Sequence, residues 1–171
     1  MIFQTLGYLL RTLTGRNTPK RIVAALVHTV DGDTARFWTG SGDNISVRFL
    51  GVDTPEMGFE RINGKTVVNP RKQQHGAVEA TRFVDRLLRD ANTITLEIDP
   101  ARAGSDHYGR VRAWVWADGV LVQEALVQHG LAKIVHLNPF MLHAKRLKTA
   151  RRQRWLRILS NLFGRKRTDN I

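Results

Sequence analysis

The stretch Val47-Arg48-Phe49-Leu50-Gly51-Val52-Asp53-Thr54-Pro55-Glu56 decides how this chain is read. Apolar Phe49, Leu50 and Val52 predict a buried strand, and the polar cluster that follows ends it abruptly. Pro55 has no N–H and a fixed φ, so it stops the ladder and biases Thr54 towards extended geometry. Asp53 and Glu56 are thereby held at a strand-to-loop junction, with Arg48 upstream. Alone, Asp-Thr-Pro-Glu reads first as a solvated turn, since these are ordinary turn residues. Its companions elsewhere in the chain change that reading.

Towards the N-terminus, Ile22 to Val30 is rich in β-formers, Asp31-Gly32-Asp33 breaks the run, and Thr34 to Trp38 resumes it. Gly40 to Asn44 is a second turn, and Ile45 to Val52 is the third strand. Three short strands at this spacing form a meander that curls into a small barrel more readily than a flat sheet. Met57 to Gln74 shows no period and contains Gly58, Gly64 and Pro70, which predicts a long loop. Beyond Gly76, apolar Ala77, Ala80, Phe83, Val84, Leu87 and Leu88 recur at helical spacing, so one face of a helix meets the core. Thr93 to Asp99 alternates as a half-exposed strand stopped by Pro100, and Arg110 to Trp116 is another strand, closed by Asp118-Gly119. Leu121 to His129 reads as a helix with Gly130 in the left-handed position after it. Met141 to Phe163 carries a loose apolar stripe among arginines, the pattern of a terminal helix with a solvated basic side. Trp38, Trp114 and Trp116 are expected in barrel packing, and none of the six histidines forms a paired metal motif on one helix.

With 171 residues, 42% hydrophobic and 25% charged, the composition is that of an ordinary soluble globular protein with one main core. It contains no cysteine, which excludes disulfides and thiolate metal sites. The formal charge of +12 is unevenly spread. Residues 1–21 hold four basic side chains and no acid, and residues 141–171 hold ten against Asp169 alone. Residues 22–140 are close to neutral, with 13 basic and 14 acidic side chains. Positive ends attract polyanions by counterion release, whether nucleic acid or an anionic membrane surface. The division is therefore an N-terminal basic and apolar extension over 1–20, a globular domain over 21–140, and a basic amphipathic helix and tail over 141–171. Met1 to Leu13 suggests a short amphipathic helix rather than a signal peptide, favouring a cytoplasmic location over secretion or membrane attachment. Nothing implies an obligate protein partner, and a monomer is expected.

Four features sit on the predicted barrel and its loops: Asp31-Gly32-Asp33-Thr34, Arg48, Asp53-Thr54-Pro55-Glu56 and Asp106-His107-Tyr108-Gly109-Arg110. Oxygen-only donors favour a hard cation, Ca2+ above Mg2+ because it tolerates irregular geometry. Two arginines beside such a site suit a phosphate, which guanidinium forks grip bidentately. Phosphodiester cleavage needs these parts: positive charge on the five-coordinate phosphorus, and a carboxylate to orient or deprotonate water.

These four features, with Ala117-Asp118-Gly119 and Glu124 to Lys133, resemble the staphylococcal (thermonuclease-type) nuclease family, with the blocks in family order from about Ile22 to Leu137. The resemblance implies an α+β fold, a five-stranded OB-fold barrel with packed helices, and Ca2+-dependent hydrolysis of DNA and RNA that leaves 3′-phosphates. It places Asp33, Asp53 and the Thr54 carbonyl at the metal, Glu56 on the attacking water, and Arg48 and Arg110 on the phosphate. Asp31, Asp106, Tyr108 and His136 would lie behind these groups or against substrate. Where the family has two tyrosines lining the nucleotide pocket, this chain has His136 and Asn138. The competing reading is a catalytically silent nucleic-acid-binding module of the same fold.

Overall fold

A computed structural model describes residues 18–164, with side chains described to Asn161. The expectations for Met1 to Leu13 and for the tail after Gly164 lie outside the described residues. Five strands close into a barrel: β1 (Lys20–Asp31), β2 (Thr34–Thr39), β3 (Asn44–Phe49), β7 (Ile94–Ile98) and β8 (Val111–Ala117), in the order β3-β2-β1-β7-β8. All neighbours are antiparallel except the closing pair, where β3 and β8 run parallel with Val47 opposite Val111, Arg48 opposite Arg112 and Phe49 opposite Ala113. This mixed closed barrel is the small barrel that the strand pattern predicts and the α+β OB-fold that the resemblance implies.

β1 is long enough to serve both halves of the barrel. Its first residues, Lys20 to Ala24, pair with β7, and Ala24 to Asp31 pair with β2. Register shifts between Leu26 and His28 and between Thr29 and Asp31 mark bulges, which bend a strand and re-aim its side chains. The second of them sits where Asp31 enters the site. Inside the barrel, Phe37, Val47, Phe49, Leu96 and Val115 are buried together.

Among the described residues three helices cover the barrel. α1 (Ala77–Arg89) buries Ala77, Ala80, Val84 and Leu88, one face at the spacing read from the sequence, and lies against β1. α2 (Val122–His129) ends at Gly130, whose φ of 76° is the left-handed cap expected there. α3 (Ala144–Gly164) packs on α2 and sends Ala144, Leu147 and Ala150 into the core. It begins three residues later than the apolar stripe suggests, because Met141 to His143 form a turn against β7 and β8. Its outer part carries exposed Trp155, Leu156 and Leu159 among arginines. Among the described residues no helix is long and apolar enough to cross a membrane.

A buried polar seam fastens the segment before α3 to the barrel. The Asp99 carboxylate accepts the Trp114 indole N–H at 2.7 Å and the backbone N–H groups of Ala101 and Leu142, each at 2.9 Å. Glu97 accepts from Arg21 at 2.9 Å, Trp116 at 3.0 Å and His143 at 2.6 Å. A carboxylate only accepts, so the imidazole carries the proton in the last bond. Glu97, expected on the open face of a half-exposed strand, is fully covered because these partners close over it.

Two other expectations are corrected. The segment read as a loop from Met57 to Gln74 contains a hairpin, β5 (Phe59–Ile62) with β6 (Lys65–Val68), turned by Asn63 and Gly64 at φ of 50° and 78°. Positive φ at both central residues is the type I′ geometry that Asn-Gly favours. Trp38 does not pack in the barrel; it is 51% exposed on β2, whereas Trp114 is wholly buried.

Candidate active site

The site forms where the β1–β2 turn, the end of β3, the short strand β4 (Val52–Asp53) and the loop before β8 meet. β4 is held by β9 (Lys133–Ile134), with Lys133 opposite Asp53. Gly32 makes the approach possible, since a Cβ there would lie 2.8 Å from both Ala80 Cβ and Thr54 Oγ1. Only a residue without a side chain lets the Asp31–Asp33 turn sit this close to Thr54.

Asp33 is the centre of a continuous network. One of its carboxylate oxygens, Oδ2, accepts the Thr54 backbone N–H at 2.9 Å; the other, Oδ1, accepts the Thr34 hydroxyl at 3.2 Å and forms a close ion pair with Arg48. Arg48 also donates to Asp53 Oδ1 at 2.8 Å, so a single guanidinium spans two carboxylates from different elements. The Thr34 oxygen accepts in turn from Arg110 at 3.4 Å. Asp106 aims Arg110: its Oδ2 accepts Arg110 Nε at 2.7 Å, and its Oδ1 accepts the backbone N–H groups of Tyr108 and Arg110, each at 2.9 Å. Asp31 accepts the Asp33 backbone N–H at 3.1 Å.

Electrostatics tie Glu56 to the same group. Partial burial raises its carboxyl above the ordinary range, the charges of Asp31 and Asp53 add to that, and Arg48 and Arg110 oppose it. Burial likewise raises Asp31, against the pull of Arg48, Thr34 and Arg110. Asp106 moves the other way: burial would raise it, but the bonds from Arg110 and the turn's N–H groups hold it low. The backbone of Glu56 is fixed by Gln74, whose side-chain oxygen accepts the Glu56 N–H at 3.2 Å and whose own N–H donates to the Glu56 carbonyl at 3.0 Å.

Asp31, Asp33, Arg48, Asp53, Thr54, Glu56, Asp106 and Arg110, named from the sequence, are thus brought together. Tyr108 stands at the rim, 73% exposed, with the Arg110 guanidinium 5.1 Å from its ring centre. His136 lines a cavity with Arg48 that none of the acids lines, in left-handed conformation at φ 48°. Thr34 was quoted in the Asp31–Thr34 turn but given no role, and Gln74 was not singled out. Thr34 adjoins the Asp-Gly-Asp turn and was within reach of the sequence, whereas no pattern announces Gln74.

The barrel and its acid–arginine cluster define an OB-fold protein with a polar site at the strand ends. The family model described as "Staphylococcal nuclease homologue" matches residues 46–154, well over half the chain. The chain belongs to the staphylococcal nuclease family. It is 32% identical over 123 residues to Endonuclease YncB of Bacillus subtilis (strain 168), covering 71% of this chain and 52% of that protein. It is 30% identical over 128 residues to Thermonuclease of Staphylococcus hyicus, covering 75% of this chain and 68% of that protein. The SPbeta prophage-derived endonuclease YokF of B. subtilis is 34% identical over 112 residues, of which the chain covers 34% of the length. The chain therefore spans about half the length of YncB and a third of YokF.

Proposed function

We propose that this protein is a Ca2+-dependent nuclease of low sequence specificity that hydrolyses phosphodiester bonds of DNA, RNA or both and leaves 3′-phosphates. The observation that carries the reading is the unbroken run of contacts Asp106–Arg110–Thr34–Asp33–Arg48–Asp53, with Glu56 in the same field. Relatives named endonuclease and thermonuclease support it.

The donor set fits a hard cation. All its members are oxygens, and buried Asp31 has no ion-pair partner among the described residues. No three acidic or histidine side chains converge as ready-made ligands among the described residues, so Asp33, Asp53 and the Thr54 carbonyl would hold the ion together with water. When bound, the ion would supply positive charge to neutralise the phosphorane and the leaving oxygen.

Arg48 sits across Asp33 and Asp53, and in the working site it turns its fork to a phosphate oxygen. Arg110, held by Asp106, donates to the same phosphate from the other side and meets charge that grows as the fifth bond to phosphorus forms. Glu56 orients the attacking water and accepts its proton; its raised carboxyl makes it a better base than an ordinary carboxylate. The test is cleavage of plasmid, single-stranded DNA and RNA by the purified chain, with Ca2+ or with chelator. Ca2+-dependent cleavage that Glu56→Gln abolishes is expected. Salt-dependent binding without cleavage, unaffected by Glu56→Gln, would mark a silent binding module instead.

A further inference from the structure

α3 presents two apolar surfaces, and only one of them is covered. Ala144, Leu147 and Ala150 enter the core, and that side of the helix is tied to α2 and the turn after it. Arg146 pairs with Glu124, Arg157 donates to the Gln128 carbonyl at 3.1 Å, and the Arg154 guanidinium lies against Gly130. Trp155, Leu156 and Leu159, by contrast, are 56%, 54% and 43% exposed. At ~100° per residue they share one arc of the helix, turned by roughly 130° from the buried one. Clustered within little more than one turn, they form a patch rather than the scattered apolar exposure that is ordinary on a soluble surface.

The charge around this patch decides what can cover it. α3 carries seven basic residues and no acid over its 21 residues. Lys145, Lys148 and Arg152 fall on the arc of the patch; they are exposed and have no ion pair among the described residues. A second copy of the chain would set these cations against their own counterparts, with no acid on the helix to relieve them. The segment 1–21 brings four more basic residues and no acid, so it meets the same repulsion. A nucleic-acid backbone would satisfy the cations but leave Leu156 and Leu159 without apolar surface to bury against. An anionic lipid surface satisfies both. Its headgroup phosphates take the ammonium and guanidinium groups, while tryptophan and leucine enter the boundary with the acyl chains. Long stems let Lys145, Lys148 and Arg152 reach those headgroups from the same face.

We infer that the outer part of α3 is a membrane-surface anchor for anionic bilayers, with Trp155, Leu156 and Leu159 inserted at the interface and Lys148 and Arg152 on the headgroups. Such a helix lies along the bilayer instead of crossing it, and so needs no spanning segment. Arg154, next to Trp155, lines a cavity with Asp53, Thr54 and Lys133, so attachment through α3 keeps the acid–arginine cluster beside the lipid surface. The inference stands without the nuclease reading, because what it predicts is binding.

The experiment is co-sedimentation of the full chain with vesicles of phosphatidylcholine and phosphatidylglycerol in equal parts, and with vesicles of phosphatidylcholine alone. Wild type is expected to bind the anionic vesicles and not the neutral ones. The triple variant Trp155→Ser, Leu156→Ser and Leu159→Ser removes apolar area and keeps every charge; its partition coefficient should fall about tenfold or more. Lys148→Gln with Arg152→Gln should lower it by about fivefold per cation. Acyl chains carrying bromine give a second reading that does not depend on the triple variant's folding: they quench wild-type fluorescence and quench that of Trp155→Phe less. Equal partitioning of wild type and the triple variant, equal quenching, or no vesicle binding by wild type each overturns the anchor. Wild-type dimers that the triple variant breaks would then assign the face to a second copy, and a selective loss of oligonucleotide affinity would assign it to nucleic acid.

Discussion

Asp106 touches no substrate in the proposed mechanism, yet its replacement should lower turnover, and Asp106→Asn isolates why. The carboxylate does two jobs with two oxygens: Oδ1 accepts the Tyr108 and Arg110 N–H groups that shape the turn, and Oδ2 accepts Arg110 Nε at 2.7 Å. Asparagine keeps an oxygen for the turn and presents an amide N–H to the guanidinium, setting donor against donor. The turn survives and the clamp on Arg110 is lost. A hydrogen bond to a charged group contributes about 1.5–3 kcal/mol, and each ~1.4 kcal/mol withdrawn from the transition state is tenfold in rate. Single-turnover cleavage of a labelled oligonucleotide should therefore slow by roughly 10- to 150-fold. The loss of stability is about 1 kcal/mol, a fall of roughly 2–4 °C in Tm for a domain of this size. The cycle with Arg110→Ala is decisive: once Arg110 is gone, Asp106→Asn has nothing left to misplace, so the two effects are not additive. Full additivity, or a loss of activity that follows a large drop in Tm, would refute a positioning role.

Asp53→Asn is expected to shift the Ca2+ titration of activity to higher concentration, whereas Arg48→Ala lowers the plateau at saturating Ca2+; identical effects on both would contradict that division. Gly32→Ala drives a Cβ to within 2.8 Å of Ala80 and Thr54, which should cost about 1–3 kcal/mol and displace the acids; urea denaturation paired with a cleavage assay measures both, and an unperturbed variant would show that the turn has slack. Glu97 is pushed up by burial, but bonds from His143, Arg21 and Trp116 outweigh that and hold its carboxyl below its ordinary value of 4.5. A depressed folded value stabilises above the unfolded value and loses that contribution as pH falls through it. Glu97→Gln should accordingly lower Tm at neutral pH yet flatten its decline below about pH 4.5, and parallel Tm–pH curves would refute the assignment.

The strands that build the barrel announce themselves because each is a short β-former run cut by Asp, Gly or Pro. The acids of the site announce themselves because they are those very punctuation residues, Asp31, Asp33 and Asp53, standing where strands stop. The hairpin Phe59–Val68 escaped because its strands are mostly exposed and show no clean alternation, although Asn63-Gly64 carried the signal. Glu97 misled because alternation reports which face of a strand a residue is on, and not whether a distant segment folds over that face. Arg112 reads as one more surface arginine until the β3–β8 register sets it opposite Arg48. Pairings of that kind join residues 64 positions apart and leave no local trace.

Gln123 is wholly buried on α2, where its amide donates to the Ala113 carbonyl at 3.0 Å and accepts the Val115 N–H at 3.2 Å. It thereby continues the β3 ladder beyond Phe49, a side chain substituting for strand backbone at the place where the cylinder is sewn shut. Backbone closes the seam as far as Leu50, whose N–H donates to the Ala113 carbonyl at 3.0 Å, and the helix makes the stitch to Val115. The proton on the Val115 nitrogen consequently reports on both, and its exchange with solvent water requires the helix to lift away.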